Sequence, residues 1–149
     1  MKATEIDQLY AVVLEMQQIK KTQYEFNFAL IEIKKKTKPV FEEYSEKVTA
    51  LNDEMVDLAV EYCTKDDGGK PVIVGVALPD GKTLQRYSGL KQGQQPEYDK
   101  RIKEISAEAK RLQNEEHDID LSGVKIKKSV LPHDINGYQQ EMIQDFIQD

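Results

Sequence analysis

Cysteine, histidine and tryptophan are almost missing from this chain, with one, two and none among its 149 residues. A lone Cys63 excludes an intramolecular disulfide and a cysteine-based zinc site of the usual four-ligand kind, and it fits a reducing cytoplasm. Long apolar runs are also missing: no stretch approaches the roughly 18 consecutive apolar residues of a membrane span, and MKATEIDQLY has no secretory core. Secretion and membrane insertion are not expected. Glycine (8) and proline (5) are sparse, and no G-x-x-x-x-G-K-[ST] links a strand to a helix, so a phosphate-cradling loop is not expected either. Nor is there an excess of positive charge. The net charge is −6, with both signs interspersed, which argues against a general nucleic-acid binder and is too small for a DNA mimic.

What is present favours helix: 32% charged and 39% hydrophobic residues, rich in Glu, Lys, Gln, Leu and Ile. The length suits one domain, 1–149. Ile6, Leu9, Val13 and Met16, widened by Val12 and Ile19, predict a helix over about 4–20. Thr22 and Glu25 have capping-box spacing and open a second helix over about 23–37. In QYEFNFALIEI, alternation fails at Ile31, whereas helical spacing places Tyr24, Phe28 and Ile31 in one row and Phe26, Leu30 and Ile33 in the next. So broad an apolar face either contacts two neighbours in a core or offers a docking surface.

Pro39 predicts a kink or the start of a third helix, about 39–64. Phe41, Tyr44, Val48, Leu51, Met55, Leu58 and Tyr62 then repeat at alternating spacings of 3 and 4, a coiled-coil seam that calls for a partner helix. KDDGGKP ends it. Two strand-like runs around Pro79-Asp80-Gly81 predict a β-hairpin over about 71–88, followed by the polar linker LKQGQQ. The partner helix is expected over about 96–116, where Tyr98, Ile102, Ile105, Ala109 and Leu112 repeat at 4, 3, 4, 3. DIDLSGVKIKKSVLP predicts a short hairpin or edge segment, and a C-terminal amphipathic helix over about 134–148 follows with Asp134 as N-cap. The expected fold is mainly α with a small β element: an antiparallel coiled-coil-like helical hairpin, a β-hairpin between its arms, and the C-terminal helix.

Ionisable clusters give no reaction. His117, Asp118 and Asp120 have the right atoms for a metal, but the other histidine, His133, lies in a different segment. Asp66-Asp67-Gly68-Gly69 lacks the remaining oxygen positions of a calcium loop and reads as a turn. Cys63 sits beside a seam residue and reads as packing. Lys34–Lys38 and Lys125–Lys128 are short basic runs in acidic surroundings and read as solvated faces. No catalytic, cofactor or metal residues are expected.

The order of elements, with EYCTKDDGGKP (Glu61–Pro71) ending the long helix, resembles a group of small tailed-bacteriophage proteins of unknown function. Pro39 and the strand-like VIVGVALPDGKTLQRY depart from that pattern. The resemblance implies a phage origin and action in the bacterial cytoplasm or the virion, and it transfers no site residues.

The expected function is a non-enzymatic protein–protein interaction module of phage type, either an inhibitor of a host protein or a virion assembly component, with a homo-oligomer permitted by the heptads. Its seam is Phe41, Tyr44, Val48, Leu51, Met55, Leu58 and Tyr62 against Ile102, Ile105 and Leu112; its candidate partner surface is Tyr24, Phe26, Phe28 and Tyr87. The alternatives are a prefoldin-like holdase chaperone and a small-ligand or nucleotide-binding protein.

Overall fold

A computed structural model describes residues 1–89 and 96–149; the linker LKQGQQ lies outside the described residues. The chain is mainly helical, with a small antiparallel sheet. In order come α1 (Ala3–Met16), α2 (Tyr24–Tyr62), β1 (Ile73–Ala77), β2 (Thr83–Tyr87), α3 (Pro96–Asn114), β3 (Ile126–Lys127), α4 (Gly137–Ile143) and β4 (Ile147–Gln148). Two compact units are formed, one of Met1–Glu46 with Arg111–Asp149, the other of Lys47–Lys110. Among the described residues no helix is long and apolar enough to cross a membrane.

The first unit holds the main core. Leu9, Val12, Val13 and Met16 of α1 meet Phe26, Ala29, Leu30 and Ile33 of α2, and Leu121, Val124, Ile126, Val130 and Ile143 close the cluster. The apolar stripe of α1 thus faces inward as its spacing requires. Tyr10 extends the contact by stacking on Phe41, centroids 4.1 Å apart. Phe41 is therefore committed to α1 in this unit rather than to a seam. The core also includes Thr37, fully buried, whose hydroxyl donates to the Ile33 carbonyl at 2.8 Å and so meets no unpaired partner.

Several expected boundaries are corrected. α1 ends at Met16, not near residue 20, because Gln18 and Ile19 donate to the carbonyls three residues back and Lys21 takes a left-handed backbone (φ 59°) that reverses the chain. α2 starts at Tyr24, which puts Thr22 one residue before the N-cap position; its hydroxyl accepts from the Asn27 amide at 2.6 Å. α2 continues through Pro39 as one helix instead of two. Pro39 and Lys35 are both exposed, so the carbonyl that loses its amide partner is left to water and one missing bond does not end the helix. The last helix starts at Gly137 with Asn136, not Asp134, as N-cap. Asn136 Oδ1 accepts from Gln139 N at 2.8 Å, and the Gln139 side chain accepts in return from Asn136 N at 3.2 Å. It stops at Ile143, tightens into a 3-10 turn over Gln144–Phe146, and is followed by β4, parallel to β3 with Ile126 beside Ile147. Of the two expectations for 118–132, a short hairpin or an edge segment, the second describes β3, which pairs with the distant β4 and not with a neighbouring strand.

In the second unit the hairpin forms where expected, with Ile73 opposite Tyr87 and Ala77 opposite Thr83. Gly81 (φ 82°) supplies the left-handed turn position, and Asp80 Oδ1 accepts from Lys82 N at 3.0 Å. At its base Thr64 N donates to Ser88 O and Thr64 O accepts from Val72 N. Asp66 holds the DDGGK turn by accepting from Gly68 N and Lys70 N. Leu58 and Ile105 are buried; Tyr62 packs on Tyr98 with centroids 5.3 Å apart, and Arg101 pairs with Glu61 at 3.2 Å.

Candidate functional site

The two apolar rows of α2 have opposite fates. Phe26, Leu30 and Ile33 are fully buried, whereas Tyr24, Phe28 and Ile31 stand 78%, 52% and 53% exposed on the same helix. Phe26 is thus a core residue and not part of a partner surface. The reason is rotational: positions 26, 29, 30 and 33 share one face, and α1 with the 121–130 segment covers that face alone.

Tyr24 and Phe28, one turn apart, stack with centroids 5.9 Å apart and 28° between ring planes. Beside them runs an open groove of about 340 Å³ whose other wall is Gly123, Lys125, Ile126 and Lys127. Glu25 and Glu32 line the helix side, and Lys125 and Lys127 line the strand side. The groove thus has an apolar interior with carboxylates on one rim and ammonium groups on the other. Comparison with protein-family models, characterised proteins and solved structures gave no match.

Sequence reasoning missed the strand wall. Lys125–Lys128 reads as a solvated face, and only the tertiary path sets Lys125 and Lys127 opposite Tyr24 and Phe28. A usable signal was present on α2, where Glu25 and Glu32 flank the exposed row at helical spacing.

The other candidates do not join this groove. Tyr87 lines a separate cleft in the second unit with Ala59, Tyr98 and Ile102. Of the seam residues, Leu58, Ile105 and Leu112 are buried; Phe41, Tyr44, Val48, Leu51, Tyr62 and Ile102 are half-buried; Met55 is 39% exposed. Tyr44 has its phenol pushed above the usual value, by burial first and then by Asp7. Cys63 is buried, its thiol on the Val60 carbonyl. Among the described residues no three His, Cys, Asp or Glu side chains gather as a metal would require. Three lysines of the Lys34–Lys38 run have partners within the first unit: Lys36 Nζ donates to the Asp120 carbonyl at 2.8 Å, Lys34 reaches Gln17, and Lys38 pairs with Glu42.

Asp120 closes a turn. Its carboxylate accepts from the Ser122 hydroxyl at 2.5 Å and the Ser122 amide at 3.0 Å, bonds that hold it below the ordinary carboxylate range, with Lys36 adding to the effect. A depressed folded value stabilises the fold above the unfolded pKa, and that contribution disappears as pH falls through the folded value. Ser122→Ala is expected to move Asp120 back up towards the ordinary value, read by NMR titration of its carboxyl carbon. An unchanged titration contradicts the assignment.

Proposed function

We propose that this chain is a non-enzymatic protein-interaction module of phage type, and that its docking surface is the groove beside Tyr24 and Phe28. The observation that carries this reading is the exposed, stacked Tyr24–Phe28 pair with Ile31 on a helix whose opposite row is fully buried. Holding two aromatic rings and an isoleucine in water costs hydrophobic free energy that a partner would recover, at about 25 cal/mol per Å² of apolar surface covered. Rigid aromatics on a well-anchored helix are the usual anchors of an interface, and rims of opposite sign fix the orientation of what binds. An amphipathic helix or extended segment of another protein suits such a groove.

The phage resemblance supports a host protein as target, inhibited by the contact, or a phage protein met during virion assembly, in the bacterial cytoplasm or the particle. Buried Leu58 and Ile105, with the Glu61–Arg101 and Tyr62–Tyr98 pairs, support α2 and α3 as the antiparallel coiled-coil-like arms of the scaffold, with the hairpin between them.

The test is capture from bacterial lysate on the immobilised chain, repeated with Tyr24→Ser/Phe28→Ser/Ile31→Ser. The wild type is expected to retain one stoichiometric protein, and the triple variant to bind it at least about 30-fold more weakly, the loss of a single hot spot of about 2 kcal/mol. Equal retention by the variant contradicts the proposal.

A further inference from the structure

β1 has one paired and one open edge. Leu78 N donates to Lys82 O at 2.9 Å and Ser88 N to Val72 O at 2.8 Å, so the even-numbered positions of β1 exchange hydrogen bonds with β2. Ile73, Gly75 and Ala77 therefore turn their N–H and C=O groups outward. All five residues of β1 are exposed, Ile73 at 55% and Val74 at 40%, and Leu84 across from Val76 is 52% exposed. A hairpin of two strands with neither face covered is barely stable in water. Protected edges usually carry a lysine, a proline or a bulge. From Val72 to Leu78 this edge reads VIVGVAL and has none of them.

The sequence around the edge nearly mirrors itself. Counted outward from Gly75, Val74 matches Val76, Ile73 matches Ala77, Val72 matches Leu78, Pro71 matches Pro79, and Lys70 matches Asp80. From Val72 to Leu78 those are the residues that come opposite each other when two copies of β1 meet antiparallel about a two-fold axis through Gly75, with the turns that carry Lys70 and Asp80 just beyond its ends.

We propose that the chain forms a two-fold dimer through β1, joining two hairpins into one four-stranded antiparallel sheet of order β2-β1-β1-β2. Ile73 then exchanges both hydrogen bonds with Ala77 of the second copy, Gly75 with Gly75, and Ala77 with Ile73. Charge favours a second copy over an unrelated strand. The turn that carries Lys70 in one chain and the hairpin turn that carries Asp80 in the other lie beyond the same end of the paired edge, and along Pro71–Pro79 no charges meet, although each chain carries −6 overall. Val74, Val76, Leu78 and Leu84 of both copies become one apolar face in place of two small ones. The proposal does not rest on the docking groove, which lies in the other compact unit.

Sedimentation of the full-length chain over a concentration series tests it. The wild-type mass is expected to rise from 17.1 kDa towards about twice that. Ile73→Lys/Ala77→Lys sets lysine opposite lysine on both sides of the axis and is expected to remain monomeric at every loading. Ile73→Lys/Ala77→Glu sets lysine opposite glutamate and is expected to regain the dimer. A monomeric wild type, or a Lys/Lys variant that associates as the wild type does, overturns the proposal and leaves the edge to a strand of another protein.

A second readout does not depend on any variant folding. In a mixture of unlabelled and nitrogen-15-labelled chains, a zero-length carbodiimide is expected to join Lys70 of one isotope to Asp80 of the other. Within one chain these residues lie roughly 30 Å apart along an extended strand. A cross-linked dimer without the mixed-isotope Lys70–Asp80 peptide overturns the register.

Discussion

Replacing Phe26 by alanine is expected to cost about 3–5 kcal/mol of stability, while Phe28→Ala, two residues along the same helix, is expected to change it by no more than about 0.5 kcal/mol. Phe26 is fully buried among Leu9, Val13, Leu30, Ile126 and their neighbours, the largest side chain of the core cluster. Its removal loses the transfer free energy of the ring and leaves a cavity that α1 and the 121–130 segment, each held by its own contacts, fill only in part. Phe28 is half in water and its ring rests on Tyr24, so its loss opens no cavity. Urea unfolding of both variants measures the contrast. Similar costs at the two positions would mean that the exposed row is also structural, and the separation of core from docking surface would fail.

The second large effect is expected at Gly89. Its φ of 84° lies in the left-handed region, and a Cβ built there would stand 2.2 Å from Thr64 Oγ1 and 3.1 Å from Thr64 N. Gly89 abuts the Thr64–Ser88 hydrogen bond that fastens the hairpin base to the end of α2. Gly89→Ala therefore combines backbone strain with a collision against the Thr64 hydroxyl and a tight approach to the Thr64 main-chain nitrogen, strain and collision each worth about 1–3 kcal/mol. The expected result is loss of the Thr64, Val72 and Ser88 amide protection in hydrogen exchange, with the core around Phe26 keeping its own. Gly81→Ala is a useful comparison: its φ is 82° but nothing lies within 4 Å of the added carbon, so only the strain term applies. Unaltered protection at Thr64 and Ser88 in Gly89→Ala would contradict the close approach.

Much of the fold can be read from local pattern. The helical period places α1, α2 and α3, and β-rich runs around Pro79-Asp80-Gly81 place the hairpin to within a residue or two. What pattern does not hold is which of several apolar rows meets the core. Six apolar residues between 24 and 33 satisfy helical spacing in two rows, and the choice between Phe26 and Phe28 as the buried ring is made by α1 and residues 121–130, far away in sequence. The regular spacing that begins at Phe41 misleads in the same way, because Tyr10 offers that ring a stacking partner within the first unit. Cap positions shift with the helix start: α2 begins at Tyr24, one residue too late for Thr22 to be its N-cap, and the Thr22 hydroxyl takes the Asn27 amide. The β3–β4 pair is invisible for a simpler reason: two residues carry no period, and a parallel bridge between positions 126 and 147 has no turn to announce it. Since β3 builds one wall of the groove, that gap hid half of the candidate site.

The most direct test of the proposed function is hydroxyl-radical footprinting of the chain, alone and bound to the protein it captures. Tyr24 and Phe28 are expected to be among its most heavily oxidised aromatic residues when free and shielded in the complex, while buried Phe26 stays unreactive in both. Tyr24 and Phe28 oxidised equally in the two states would contradict the account and move the contact away from this face of α2.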